Sequence, residues 1–124
     1  MLRFVKSMGV VAVAGMLASQ AQAADAKHGV TVFQRCAICH SNAKGAGARI
    51  GPNLFGVVGR KAGTMPDFPY SAAMKKAGFV WTPEKLQAYI QHPQQVVPGN
   101  RMAFAGVSSK ADDADLVAYL GTLK

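Results

Sequence analysis

The only two cysteines of this 124-residue chain stand in one run, Cys36-Ala37-Ile38-Cys39-His40. A C-x-x-C pair followed at once by histidine is an attachment pattern for a c-type haem. Positions i, i+3 and i+4 of a helical turn share a face. Both thiols can therefore reach one porphyrin edge, where each adds across a vinyl group to form a thioether. His40 then lies where its imidazole can swing under the ring and bind iron. The same residues also suit a disulfide, or a redox dithiol beside an incidental histidine.

A second axial ligand separates an electron carrier from an enzyme. A Met/His pair raises the potential and closes the iron, whereas an open position permits oxygen or peroxide chemistry. Beyond residue 23 the thioethers are Met65, Met74 and Met102, and the further imidazoles are His28 and His92. A single methionine is more often a flexible core filler than a ligand. His28, two turns before the attachment run, reads as a surface residue, and His92 beside Pro93 as a cap on a helix C-terminus. Met102 differs in context, within Val97-Pro98-Gly99-Asn100-Arg101-Met102-Ala103-Phe104. Proline and glycine there exclude helix and favour an extended loop that aims a side chain inward.

The elements that must position these groups read as short helices. Residues 26–36 form a first helix with Val32, Phe33 and Cys36 on one face, and Ser71–Ala77 a second, stopped at Gly78. Thr82-Pro83-Glu84 is a start signal for a third over 83–91: N-cap threonine, proline in the first turn, then an acid. Pro93 ends it. Ser109-Lys110-Ala111-Asp112 reads as a capping box opening the last helix, with Asp113 and Asp115 near its positive end. Its apolar stripe is Leu116, Tyr119, Leu120 and Leu123. Between lie irregular, glycine-rich stretches at 41–69 and 93–108. Connections of that length are usually functional or disordered, yet these carry Ile50, Leu54, Phe55, Val57, Val58, Phe68, Val96, Val97 and Phe104. Such loops need a large apolar group to fold around, which haem supplies and two cysteines alone do not.

The N-terminus bears on the compartment. Arg3 and Lys6 precede an apolar run from Met8 to Ala18, and Ala21-Gln22-Ala23 is a small-x-small cleavage pattern. The run is too short to span a bilayer, which needs about 20 residues. The expectation is a cleavable signal peptide over 1–23 and one domain over 24–124, exported to the periplasm; an uncleaved anchor is the alternative. The whole chain carries a formal charge of +8, and removal of Arg3 and Lys6 leaves it basic. No basic run exceeds two residues and none is interleaved with aromatics, so nucleic acid is not expected. Electrostatic steering toward acidic protein partners is.

Residues 29–123 resemble the class I cytochromes c of the mitochondrial and soluble bacterial type. The resemblance rests on Cys36-x-x-Cys39-His40, Gly51-Pro52-Asn53-Leu54 through Gly59-Arg60-Lys61, and Pro98-Gly99-x-x-Met102-x-Phe104 in order. It rests equally on the separations His40 to Pro52, Tyr70 to Trp81 and Tyr89 to Met102. The resemblance implies an all-α fold of about four short helices and long loops around one haem c, held covalently by Cys36 and Cys39. His40 becomes the proximal iron ligand, its other ring nitrogen bonded to the Pro52 carbonyl, and Met102 the sixth ligand. Tyr70 and Trp81 bond a buried propionate, Arg60 offsets its charge, and Asn100, where the family usually has threonine, makes a polar contact to a propionate. Tyr89 lines the methionine side. Gly29 and Phe33 pack on Leu116 and Tyr119.

Departures are Met74 in place of an asparagine, Gln94-Gln95 in place of a lysine pair, and Phe33 three residues before Cys36, a bacterial spacing. Arg35, Lys44, Arg49 and Arg101 remain as charge near the exposed edge. The implied function is a monomeric, non-enzymatic carrier cycling Fe(II)/Fe(III). Its partners would be a quinol-oxidising complex, an oxidase, a reaction centre or a dehydrogenase, met by transient electrostatic docking, with no membrane span after cleavage. The rival from another class is a haem enzyme or gas sensor in which Met102 leaves the iron open.

Overall fold

Asp25 opens the first helix, α1 (Ala26–Ala37), by accepting the backbone N–H groups of Lys27 and His28 at 2.9 and 3.3 Å. These are among the donors that a helix start leaves without an intrahelical acceptor. The computed structural model describes residues 9–12, 15 and 23–124, and the expected leader over 1–23 lies for the most part outside them. Three later helices open in the same way. Ser71 accepts from Met74 N–H ahead of α2 (Ala72–Lys76), Thr82 from Lys85 ahead of α3 (Pro83–Gln91), and Ser109 from Asp112 ahead of the last helix.

Two local expectations are corrected. Residues 93–96 are not irregular but a one-turn helix, α4 (Pro93–Val96). Proline has no N–H to leave unsatisfied at a first helical position, so the residue that stops α3 also starts α4. The second correction concerns α5 (Lys110–Leu120). Its capping box is half made, because the Asp112 carboxylate lies 3.9 Å from His28 and 3.8 Å from Arg35 of α1.

Helices α1 and α5 cross closely. A Cβ added at Gly29 would stand 2.1 Å from the Asp115 carbonyl oxygen and 2.6 Å from Tyr119 Cβ, so only glycine fits that crossing. The Phe33 and Tyr119 rings meet edge to face at 5.4 Å, a favoured arrangement. Leu116 is fully buried and Leu120 nearly so; each such side chain contributes about 1.5–3 kcal/mol by leaving water. Val117, outside the predicted stripe, is buried as well, and α5 also packs against α3. His28 lies at the surface as expected and is paired there: its Nδ1 lies 2.8 Å from Asp115, which also accepts Asp25 N–H at 2.7 Å.

Among the described residues no strand forms, only an isolated antiparallel bridge between Lys61 and Val80. Its neighbours exchange Ala62 N–H to Phe79 and Trp81 N–H to Arg60, at 2.9 and 2.8 Å. The bridge holds Arg60 beside Trp81 although the sequence separates them widely. Of the loop hydrophobics, Val57 and Val97 enter the core, while Ile50 is 73% exposed. No helix among the described residues is long and apolar enough to cross a membrane.

Candidate functional site

The attachment run sits at the end of α1. The helix closes at Ala37, and the chain then wraps so that Cys39 and His40 both donate to the Cys36 carbonyl, at 3.0 and 2.9 Å. Arg49 caps this end: its guanidinium donates to the Ala37 carbonyl at 2.7 Å and to Ile38 at 3.1 Å. The sequence offered Arg49 only as solvated charge, whereas it fixes the turn that presents Cys39 and His40.

His40 Nδ1 lies 2.7 Å from the Pro52 carbonyl oxygen. A carbonyl only accepts, so the proton is on Nδ1 and the Nε2 lone pair is available to a metal. Burial, opposed by the Pro52 bond and reinforced by Arg60 and Arg49, lowers the His40 pKa and keeps the ring neutral. Gly51 closes the other side. A Cβ there would stand 2.3 Å from His40 Cε1, so the ring is seated against bare backbone. Next to Pro52, Asn53 is buried. Its Nδ2 donates to the carbonyls of Ala43 and Ala46 at 2.8 and 2.9 Å, and its Oδ1 accepts Phe55 N–H at 3.0 Å. Asn53 was not singled out from the sequence; the available signal was an Asn after Pro with a loop N–H two residues on, an Asx turn.

Cys36 and Cys39 are free thiols, not a disulfide. Burial pushes the Cys36 thiol up to about 11. A redox dithiol needs a depressed pKa to be nucleophilic, so the environment opposes that reading.

On the other side, Tyr89 O–H points at the Met102 sulfur, Oη to Sδ 4.0 Å. Burial raises the Tyr89 pKa to about 12, so the phenol stays a donor. Tyr89 packs on Trp81 at 4.9 Å between ring centroids, and Trp81 on Phe79 at 4.7 Å. Tyr70 accepts Met65 N–H at 3.2 Å, which leaves its own hydrogen to donate. Arg60 donates to the carbonyls of Asn53 and Phe55 at 3.0 and 3.4 Å. Its pKa is lowered, chiefly by burial and against the pull of Tyr70 and Asp67. A partly desolvated cation of this kind favours an added anion. Met74 is buried in the core.

Asn100, which the resemblance places near a propionate, is tied here to backbone of its own loop and of α4. It is buried, both Nδ2 hydrogens go to backbone carbonyls, Pro93 at 3.0 Å and Val97 at 2.9 Å, and its Oδ1 accepts Met102 N–H at 2.9 Å. An amide NH2 has only two hydrogens, and both are engaged here.

The donor set fits haem c: two unpaired thiols three residues apart, a neutral imidazole with a committed Nδ1 proton, and a thioether carried on a separate loop. The model of the cytochrome c family matches residues 26–124. Cytochrome c2 of Agrobacterium tumefaciens (strain II Chrys) is 46% identical over 99 residues, covering 77% of this chain and 89% of its own. Cytochrome c of Euglena viridis is also 46% identical, over 101 residues, covering 81% of this chain and 98% of its own. Among solved structures, cytochrome cH from Methylobacterium extorquens superposes with a TM-score of 0.73 at 38% identity, covering 79% of this chain and 98% of its own.

Proposed function

The chain belongs to the cytochrome c family as a monohaem electron carrier, and from that premise we propose that it is exported and works in the periplasm with His40 and Met102 as the axial ligands. The observation that carries the ligand assignment is the His40–Pro52 bond at 2.7 Å with Tyr89 directed at the Met102 sulfur. When bound, haem c supplies a one-electron Fe(II)/Fe(III) couple. Cys36 and Cys39 hold it covalently. The Pro52 carbonyl and Gly51 fix the tautomer and plane of the His40 ring, which tunes its basicity. Tyr89 polarises the Met102 thioether, and the buried rings of Trp81 and Tyr89 keep water away. Arg60, Tyr70 and Trp81 receive a propionate. We read the protein as a carrier rather than an enzyme because a Met/His pair closes the iron to substrates.

Cleavage after Ala23 is supported by the small-x-small pattern at Ala21-Gln22-Ala23 and by the family match from residue 26. The resulting basic monomer meets its partners through transient, salt-weakened docking. A quinol-oxidising complex, an oxidase, a reaction centre or a dehydrogenase each presents suitable chemistry.

Visible spectroscopy tests the ligand set. The oxidised holoprotein is expected to show the weak long-wavelength band of sulfur–iron ligation, and the reduced protein to resist carbon monoxide. Met102→Ala is expected to keep covalent haem, lose the band, lower the potential and admit carbon monoxide. An unchanged potential and band in this variant would remove Met102 from the iron and favour the open-iron enzyme or sensor.

A further inference from the structure

The loop that carries Met102 has little regular structure to hold it. Between Val97 and Val107 there is no helix, and Phe104 N–H to the Met102 carbonyl at 2.9 Å is a bond internal to the loop. Two carboxamides tie the loop to α4. Asn100 uses every polar atom it has. Its N–H donates to Val97 at 3.1 Å, its Nδ2 to Pro93 and Val97, its Oδ1 accepts Met102 N–H, and its own carbonyl accepts Gln94 Nε2 at 3.0 Å. Gln94 also accepts Gly99 N–H through Oε1 at 3.2 Å. The assignment of nitrogen and oxygen on both amides is forced, because carbonyls stand opposite one end and N–H groups opposite the other.

We propose that Asn100 and Gln94 are positioning residues that hold Met102 on the iron, setting the equilibrium between the closed loop and one in which the sulfur has left. The proposal rests on Met102 as sixth ligand. A buried asparagine whose oxygen holds the ligand's own N–H couples any withdrawal of Met102 to the loss of a buried hydrogen bond. Opening also frees two donors and two carbonyls that the buried clamp had satisfied, and a broken buried bond of this kind shifts an equilibrium by roughly three- to tenfold. Gln94 is exposed and water replaces its bonds, so its share is smaller. Threonine has only one donor hydrogen and lysine donates but cannot accept, so neither reproduces the paired donor and acceptor of a carboxamide.

The test is competition by added imidazole for the ferric holoprotein, because the apparent affinity of an exogenous ligand is scaled by the fraction of protein in the open state. Asn100→Ala is expected to raise apparent imidazole affinity about tenfold and Gln94→Ala about threefold. Gln94→Glu, which keeps the acceptor for Gly99 but loses the donor to Asn100, is expected to fall between wild type and Gln94→Ala. Helix content and covalent haem are expected to stay unchanged in all three. Should Asn100→Ala fail to accumulate, the two Gln94 variants carry the test, since they alter an exposed side chain. Wild-type affinities in folded variants would overturn the clamp. A wild-type protein already lacking the sulfur–iron band would instead overturn Met102 as ligand, so the two failures are distinguishable.

Discussion

The two sides of the site use the same device with different reinforcement. Beside His40, Asn53 staples two loop carbonyls and the N–H two residues on. Beside Met102, Asn100 does the same with Pro93, Val97 and Met102 itself. The His40 side is also wedged. Gly51 lies against the imidazole, Pro52 accepts its proton, and Arg49 ties the turn to the end of α1, which in turn is locked to α5 at Gly29. The Met102 side relies mainly on polar ties: the amides, the Tyr89 phenol and the Arg101 guanidinium, which donates to the Tyr70 carbonyl at 2.9 Å, with a close backbone approach only farther along the loop at Gly106. Steric locks admit no small displacement in a close-packed interior, whereas hydrogen bonds exchange with water at modest net cost. On the ligand set proposed above, this arrangement would keep His40 fixed and leave Met102 releasable.

The largest break is expected at the frame. Gly29→Val puts side-chain atoms where the Asp115 carbonyl stands, and overpacking of this kind costs about 3 kcal/mol or more; a thermal melt and the yield of haem-attached protein measure it. A near-wild-type melt would show that the α1–α5 crossing adjusts and is not a lock. Next comes Gly51→Ala. It is expected to displace the His40 ring, cost about 1–3 kcal/mol and shift the midpoint potential, while leaving imidazole competition at Met102 close to wild type. If potential and stability both stay put, the claimed steric difference between the sides is wrong.

A third effect concerns Asp113, which is buried with its Oδ1 unpartnered among the described residues. Burial pushes its pKa up to about 7 from 3.8. The folded state therefore holds a proton that the unfolded state releases, so stability falls as pH rises through the window from about 4 to about 7. The slope approaches about 1.4 kcal/mol per pH unit. Asp113→Asn is expected to flatten it in denaturant titrations, and an unchanged slope would reject the assignment. Asp115 acts in the opposite sense. Its pKa is lowered, first by Asp25 N–H and then by His28, so its stabilisation is present at neutral pH and lost on acidification. Half-buried and paired with an exposed histidine, it gives the smallest effect. His28→Ala is expected to move the acid-unfolding midpoint slightly upward, and a downward move would contradict the pairing.

Much of this was legible from residue types because the signals are local. Cys36, Cys39 and His40 lie within one turn. Thr82-Pro83 and Ser109 fix helix starts through side chains that reach only three residues. What escaped was set by partners distant in sequence or by one residue serving two purposes. Pro93 ends α3 and begins α4. Arg49 looked like surface charge because its acceptors, the Ala37 and Ile38 carbonyls, become available only where α1 stops. The hold of Asn100 on the Pro93 and Val97 carbonyls was not legible either, because α4, which brings them to it, was not foreseen.

By itself the sequence determined the covalent chemistry, the export signal as an expectation, the helix starts and the family, all of which depend on spacing within a few residues or on ordered motifs. Tertiary structure alone decided how each ligand is held. The reach of a carboxamide, the gap beside Gly51 and the pairing of Arg60 with Trp81 are distances between segments, and a distance between segments is fixed only when the chain has packed.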